Sequence, residues 1–263
     1  GVSIMANARL LIANYGDSAT VTQTTGGTAT GYPLTNLQSR KRGLVWRSST
    51  TTGNQVIVSS FAAQTVKTVA IVNYRAHTSG GTIKAEYKNG GGAYAAFGGG
   101  TGLFTLPSSN RTRLVVLWDT AGVTATDIKL TYTNTGTVNT YVELGYLYIG
   151  SYVEPAQSVQ PGVQVKPVDP SVVRFSVGGQ NRTWIQQKYL MASVVFGPLG
   201  RSSDLALVQQ AFDTVGIGTH CIFAIDPADP DLILYGTFED VDVSHIGDSV
   251  NLWRVDVRFR EAA

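Results

Sequence analysis

The chain has 263 residues, of which 43% are hydrophobic and only 14% are charged, and its formal net charge is +2. The charged fraction lies below the roughly 25% of ordinary soluble domains, and the many glycines are typical of short strands joined by turns. The near-neutral balance argues against a nucleic-acid-binding protein, and the single cysteine excludes an intrachain disulfide. No apolar run near 18 residues predicts a membrane span, and Met5 is a candidate for the natural first residue.

Alternating and β-branched segments dominate the first 150 residues. They predict roughly seven or eight short strands and no helix, the pattern of a β-sandwich. The turn signal Asn89-Gly90 ends one of these strands. The main predicted strands cover residues 9–13, 54–58, 67–73, 82–87, 113–118, 127–132 and 141–149.

Residues 151–170 differ from what precedes them because they contain four prolines and few apolar clusters. Proline removes a backbone donor and fixes φ, so this segment predicts an extended connector. We place a domain boundary here, between a first domain at 6–150 and a second at 171–263.

The second domain contains the one segment with a helical pattern. Ser202 or Ser203 is a candidate N-cap, and Asp204 suits the positive end of a helix. The residues Leu205, Val208 and Phe212 form one apolar stripe, and glycines at 216 and 218 predict the end of the helix. Strands are predicted at 189–196, 221–225, 232–238 and 251–260, so we expect a smaller α+β domain, a sheet with one packed helix.

The sequence contains none of the common catalytic or metal-binding motifs, such as H-E-x-x-H, C-x-x-C or G-x-S-x-G. We therefore predict a protein that is not an enzyme, with no catalytic residue, no cofactor and no metal ion. In Gly16-Asp17-Ser18 the serine is a conceivable nucleophile, but a turn after a strand is the preferred interpretation. The acidic run of Asp226, Asp229 and Asp231 is interpreted as a solvated turn rather than a calcium loop.

Aromatic residues near predicted loops carry the one binding hypothesis. Loop tyrosines are commonly rim residues of a core, but they also serve as stacking platforms for sugars. The candidates for glycan contact are Tyr15, Tyr74 and His77, with Tyr32 and Tyr94 also near loops.

Three further features of the sequence receive a structural interpretation. The basic residues Arg40, Lys41, Arg42 and Arg47 are interpreted as a solvated loop. Cys221, among apolar neighbours, is expected to be buried and inert. The four tryptophans lie in apolar contexts, so we expect them to be core or interface anchors.

The first domain resembles the galactose-binding-like family, also called discoidin or F5/8 type C. The resemblance covers about residues 6–150 and implies a jelly-roll β-sandwich. It lies in the segments 32–37 (YPLTNL), 43–48 (GLVWRS), 55–58, 66–74, 111–118 and 141–150.

The junction between the domains resembles tailed-bacteriophage tail proteins. The matching segments are 168–174 (VDPSVVR), 178–180 (GGQ), 223–227 (FAIDP) and 234–238 (LYGTF). The resemblance implies a distal-tail-like structural protein of the tail tip or baseplate, made in the host cytoplasm and located in the virion. Its second domain would be tail-tube-like and form a ring, probably hexameric in that family, that connects the tube and hub to the tip or fibres. The alternative function is a carbohydrate-binding module that docks to host-surface glycan.

Overall fold

The structure, a computed structural model, describes residues 7–49, 54–74, 81–106, 113–134, 141–157, 159–175, 181–201, 203–246 and 251–262. Over these residues the chain is mostly β, as predicted. It divides into two compact units. The N-terminal unit is Leu11–Tyr152, and the C-terminal unit runs from Val153 to the end and includes the start of the chain through Leu10. The predicted domain limits and the predicted domain roles stay predictions.

The first ten strands, in chain order, build the N-terminal unit, with the outer ends of the first and last of them in the other unit. Short 3-10 turns occupy Tyr15–Ser18 and Leu34–Gln38. The strands are β1 (Arg9–Asn14), β2 (Thr20–Thr25), β3 (Trp46–Arg47), β4 (Gln55–Val72), β5 (Gly81–Lys88), β6 (Ala95–Ala96), β7 (Leu103–Leu106), β8 (Leu114–Asn134), β9 (Glu143–Leu144) and β10 (Leu147–Val153).

Two long strands, β4 and β8, form one antiparallel ribbon along their whole length. Each was predicted as two separate strands, which is wrong because the ribbon continues through register shifts such as the one between Ser60 and Gln64. The first half of β4 also pairs with β2, and its second half pairs with β10. The second half of β8 pairs with β5. The two halves of the ribbon therefore carry different neighbouring strands.

One hydrophobic cluster fills the N-terminal unit. It includes Ile57 from the first half of β4, Val69 from the second half, Ile83 from β5 and Ile149 from β10. Because both halves of the ribbon contribute to one core, the packing is consistent with the predicted β-sandwich. Its jelly-roll connectivity stays a prediction.

The prediction of a turn at Gly16-Asp17-Ser18 is confirmed. The Asn14 side chain accepts a hydrogen bond from the backbone N–H of Gly16 at 2.9 Å, which is an Asx turn. Arg40 forms an ion pair with Asp17 at 2.7 Å, so this arginine is not simply a solvated loop residue.

The C-terminal unit contains seven strands and, among the described residues, the only α-helix, α1 (Asp204–Val215). Its main sheet has the antiparallel order β11-β14-β17-β16-β15, and β12 pairs with β13 in a separate hairpin. The strands are β11 (Gln164–Val168), β12 (Val172–Phe175), β13 (Asn181–Trp184), β14 (Tyr189–Gly200), β15 (Cys221–Ala224), β16 (Ile233–His245) and β17 (Leu252–Glu261).

The predicted helix is confirmed. Of its predicted apolar stripe, Leu205 and Val208 are buried and Phe212 is half-buried. Gly216 ends the helix with φ +63°, a left-handed conformation that favours glycine. Ser203 occupies the N-cap position but makes no capping hydrogen bond through its side chain. Asp204 instead accepts a hydrogen bond from the backbone N–H of Ala156 at 3.1 Å. None of the helical residues that the structure describes forms a segment long and apolar enough to cross a membrane.

Three further expectations for this unit have clear outcomes. Residues 164–168 of the segment predicted as a connector form β11, which pairs with β14. The strand predicted at 251–260 is confirmed as β17, which lies between β14 and β16 in the interior of the sheet. Cys221 is buried, as predicted.

Candidate functional site

The two predicted glycan-contact residues that the structure describes, Tyr15 and Tyr74, both pack against the core. Tyr15 is half-buried and packs against the core, with its ring centroid 6.1 Å from that of Phe61. Tyr74 is only 3% exposed and belongs to the core, so its ring offers no open face to a sugar. This burial corrects the placement expected for Tyr74. His77 lies outside the described residues.

A different set of aromatic and charged side chains assembles around β3 and β9. The two strands pair Trp46 with Leu144 and Arg47 with Glu143. Because neighbouring residues of a strand point to opposite faces, Trp46 enters the core and Arg47 faces away from it. Trp46 is fully buried, and its indole N–H donates to Thr28 Oγ1 at 3.0 Å. This anchor fixes the position of Arg47 beside it.

Arg47 lies between two tyrosine rings. Its guanidinium carbon is 3.8 Å from the ring centroid of Tyr32 and 4.0 Å from that of Tyr141. Its Nε donates to Glu143 Oε1 at 2.9 Å, and Nη2 donates to the same oxygen. We name these four residues, Tyr32, Arg47, Tyr141 and Glu143, the Arg47 cluster.

The electrostatics of the Arg47 cluster keep the arginine charged and in place. The hydrogen bond that Arg47 donates to Glu143 is the main cause that raises the pKa of Arg47, while burial acts in the opposite direction. The side chains of Arg47 and Glu143 are 24% and 13% exposed, so the pair reaches the surface without being fully solvated. A cation between two aromatic rings gains attraction from both ring faces, which reduces its mobility.

The cluster combines the groups that carbohydrate recognition uses. Tyrosine rings offer flat apolar surface, while tyrosine hydroxyls, a guanidinium and a carboxylate offer hydrogen bonds of fixed direction. Within the described part of the chain, no three His, Cys, Asp or Glu side chains are grouped to hold a metal ion. The aspartates at 226 and 229 shape turns by accepting backbone N–H bonds from Ala228 and Asp231, each at 2.9 Å.

A second aromatic and cationic group lies on β5 and β8, but its charges neutralise one another. Tyr94 lies under the ammonium groups of Lys129 at 4.1 Å and Lys88 at 5.1 Å. Glu86 forms ion pairs with Lys129 at 2.6 Å and Lys84 at 2.9 Å. These partners are satisfied within the group, which makes Tyr94 a suitable control position.

We predict that this second group makes the protein less stable in acid. Burial tends to raise the pKa of Glu86, but hydrogen bonds from Lys129 and Lys84 outweigh it and lower the pKa. A carboxylate with a lowered pKa stabilises the folded protein at pH values above its pKa in the unfolded chain, about 4.3. This stability is lost as the pH falls through the pKa of the folded protein. Urea unfolding from pH 7 down to pH 3 should therefore show a smaller loss of stability for Glu86→Gln than for the wild type. An equal loss in both proteins would contradict the prediction.

Sequence reasoning missed the Arg47 cluster. Arg47 was grouped with the basic residues of a solvated loop, which is wrong for this residue because two rings and a carboxylate surround it. The available signal was the alternation of Trp46 with Arg47, since a buried tryptophan places its neighbour outward. The pairing of residue 47 with residue 143 is a long-range contact that no local pattern indicates.

Comparison with known proteins returned structural neighbours only. No family model matches the chain, and no curated protein matches it. It is similar to chitosan-binding module 1 from a chitosanase/glucanase of Paenibacillus sp. IK-5, with 18% identity, a TM-score of 0.41, and coverage of 53% of this chain and 99% of the module. For CBM32-1 from a family 31 glycoside hydrolase of Clostridium perfringens, the identity is 7%, the TM-score 0.42 and the coverage 53% and 99%.

A third neighbour is the family 32 carbohydrate-binding module from C. perfringens NanJ in complex with galactose. Its identity is 17%, its TM-score 0.41, and the match covers 55% of this chain and 98% of the module. These neighbours are carbohydrate-binding modules, and each matches about half of this chain. At these identities and TM-scores the likeness establishes neither the fold of this chain nor its ligand. None of the three concerns a phage tail, so the tail-tip role stays a prediction.

Proposed function

We propose that the N-terminal unit is a carbohydrate-binding module and that the Arg47 cluster is its contact surface. The observation that carries the proposal is the position of Arg47 between the Tyr32 and Tyr141 rings, paired with Glu143 at the surface. The galactose-binding-like resemblance of residues 6–150 points to the same class of function.

The chemistry of the cluster suits a sugar ring. The C–H face of a sugar packs against the aromatic ring of a tyrosine, while Arg47 and Glu143 offer a donor and an acceptor to neighbouring hydroxyl groups. Because the rings and the ion pair already hold each other, little side-chain freedom is lost on binding. Such a site is expected to bind a glycan without any reaction, in agreement with the prediction that the protein is not an enzyme.

A glycan array with the full chain, followed by titration calorimetry with the oligosaccharide that binds best, tests the proposal. Tyr141→Ala is expected to weaken binding about tenfold or more, because loss of one aromatic contact is worth on the order of 1.4 kcal/mol. Tyr94→Ala, also a tyrosine beneath cations, is the matched control and should bind as the wild type does. Absence of binding to any glycan, or equal loss in the two variants, would reject the site.

The second candidate function is the structural role in a phage tail tip. The observation that favours an assembly role is the β12–β13 hairpin, which exposes Val172, Val173, Trp184 and the adjoining Ile185. The virion location, the hexameric ring and the tube, hub and fibre partners remain proposals drawn from the resemblance. A tail-tip protein is able to carry a glycan-binding unit, so the two functions are compatible.

A further inference from the structure

The β12–β13 hairpin exposes large apolar side chains to water. The two strands pair with each other and with no other strand of the described residues. Trp184 is 51% exposed, and Ile185, directly after the hairpin, is 86% exposed. A two-stranded hairpin alone is marginally stable in water, and grouped apolar side chains of this kind mark an interaction site. The hairpin is therefore a strong candidate for an intermolecular contact.

The register of the hairpin defines the chemistry of the partner. Val172 lies opposite Trp184, and Arg174 lies opposite Arg182. All four positions belong to one face, because directly paired residues share a face and the two pairs are two residues apart. The Arg174 guanidinium lies over the Trp184 ring at 5.5 Å. This face therefore presents apolar surface and the cation of Arg174, so it favours a partner that is both apolar and anionic.

A groove of about 530 Å³ between α1 and β16 has that character. Its apolar lining includes Phe212, Val241 and Ile217, the last of which is 69% exposed. Asp213 and Asp240 also line it, and no basic residue does. The groove therefore offers apolar surface and two carboxylates.

We propose that the β12–β13 hairpin of one copy docks into the α1–β16 groove of a second copy. Apolar surface meets apolar surface, and Arg174 meets the carboxylates that line the groove, Asp213 first among them. Because the hairpin and the groove are different surfaces, the contact is heterologous and repeats from copy to copy, closing a ring when the rotation allows it. The contact goes beyond glycan binding and does not depend on it.

Cross-linking of two variants that each carry one introduced cysteine tests the contact directly. Trp184→Cys and Ile217→Cys chains are mixed and treated with a short bis-maleimide, while the native Cys221 is buried and gives little background. The mixture should form a cross-linked dimer of one chain of each kind, and neither variant alone should do so efficiently. No dimer in the mixture, or equal dimer from Trp184→Cys alone, would overturn the proposal.

Charge exchange adds a test that does not rely on the cross-link. Arg174→Glu and Asp213→Arg should each weaken self-association about tenfold in sedimentation velocity, and the double variant should recover part of the loss. Both positions are exposed, so folding should be unaffected. Leu103→Ala, which alters an exposed leucine of the N-terminal unit, is the control and should leave the mass unchanged.

Two results would contradict the proposal. One is a wild-type chain that stays monomeric up to about 100 µM, a concentration at which specific contacts of ordinary strength form. This result counts against the proposal even when the hairpin binds a different protein. The other is an oligomer that none of the variants changes. Glycan binding of Arg174→Glu should equal that of the wild type, so failure of this contact is distinguishable from failure of the glycan site.

Discussion

Replacing Trp46 with alanine is expected to destabilise the N-terminal unit by about 3–5 kcal/mol, the usual cost of truncating a fully buried tryptophan. Trp46 is fully buried within the hydrophobic cluster, and its indole N–H donates to Thr28 Oγ1 at 3.0 Å. Its removal leaves a cavity and takes one hydrogen bond from the Thr28 hydroxyl, which still donates to Gln23 Oε1 at 2.7 Å. Because Trp46 precedes Arg47 on β3, glycan binding should also be lost.

Hydrogen exchange of β3 and β9 peptides at increasing urea concentration measures this effect locally, because it follows the opening of that part of the chain. Two matched variants separate the causes. Trp46→Phe keeps most of the volume and should lose much less stability than Trp46→Ala. Thr28→Val removes the hydroxyl that accepts from Trp46 and donates to Gln23 Oε1, and it should cost about 1 kcal/mol for each lost hydrogen bond. A loss below about 1 kcal/mol in Trp46→Ala would show that Trp46 is not the anchor.

Local signals explain why parts of the fold were predictable from the sequence. Helix α1 was predicted because its apolar stripe and Gly216 lie within a few residues of each other, and the structure confirms both. In β17, Val255, Val257 and Phe259 are buried while Leu252 is 39% exposed, as the alternation predicts. Such patterns depend on burial of one face and need no knowledge of the strand's neighbours.

Long-range pairing explains what the sequence did not reveal. The exposed segment at Ala62–Gln64 reads as a loop between two strands, yet β4 continues through it because β8 runs alongside. The predicted strand at 141–149 is interrupted at Gly145, where any side chain would collide with the backbone oxygens of Val72 and Asn73. The Arg47 cluster combines residues 32, 47, 141 and 143, which only the pairing of β3 with β9 brings together. Tyr74 follows a β-branched run, and its burial depends on the same tertiary packing.

The largest loss of stability in the C-terminal unit is expected from Phe223→Ala. Phe223 is fully buried, and its ring centroid is 5.5 Å from that of Phe259, 6.0 Å from Phe238 and 6.1 Å from Phe196. Truncating a buried phenylalanine costs about 3–5 kcal/mol, and aromatic pairs add roughly 0.5–1.5 kcal/mol each beyond the area that they bury. Phe223 contacts three such rings, so we expect a value near the upper end of that range.

Phe212→Ala is the matched control, because Phe212 is half-buried and its ring contact within the same cluster is with Phe238, at 4.7 Å. It should lose less than half of what Phe223→Ala loses. Hydrogen exchange of β15 and β16 peptides measures both losses of stability. A low protein concentration is used because self-association would add apparent stability. Equal losses in the two variants would mean that the cavity at Phe223 collapses and that the cluster has no single centre. A dominant effect at Phe223 would place the centre of the core of this unit in the sheet, where Phe223 contacts the rings of Phe196, Phe238 and Phe259.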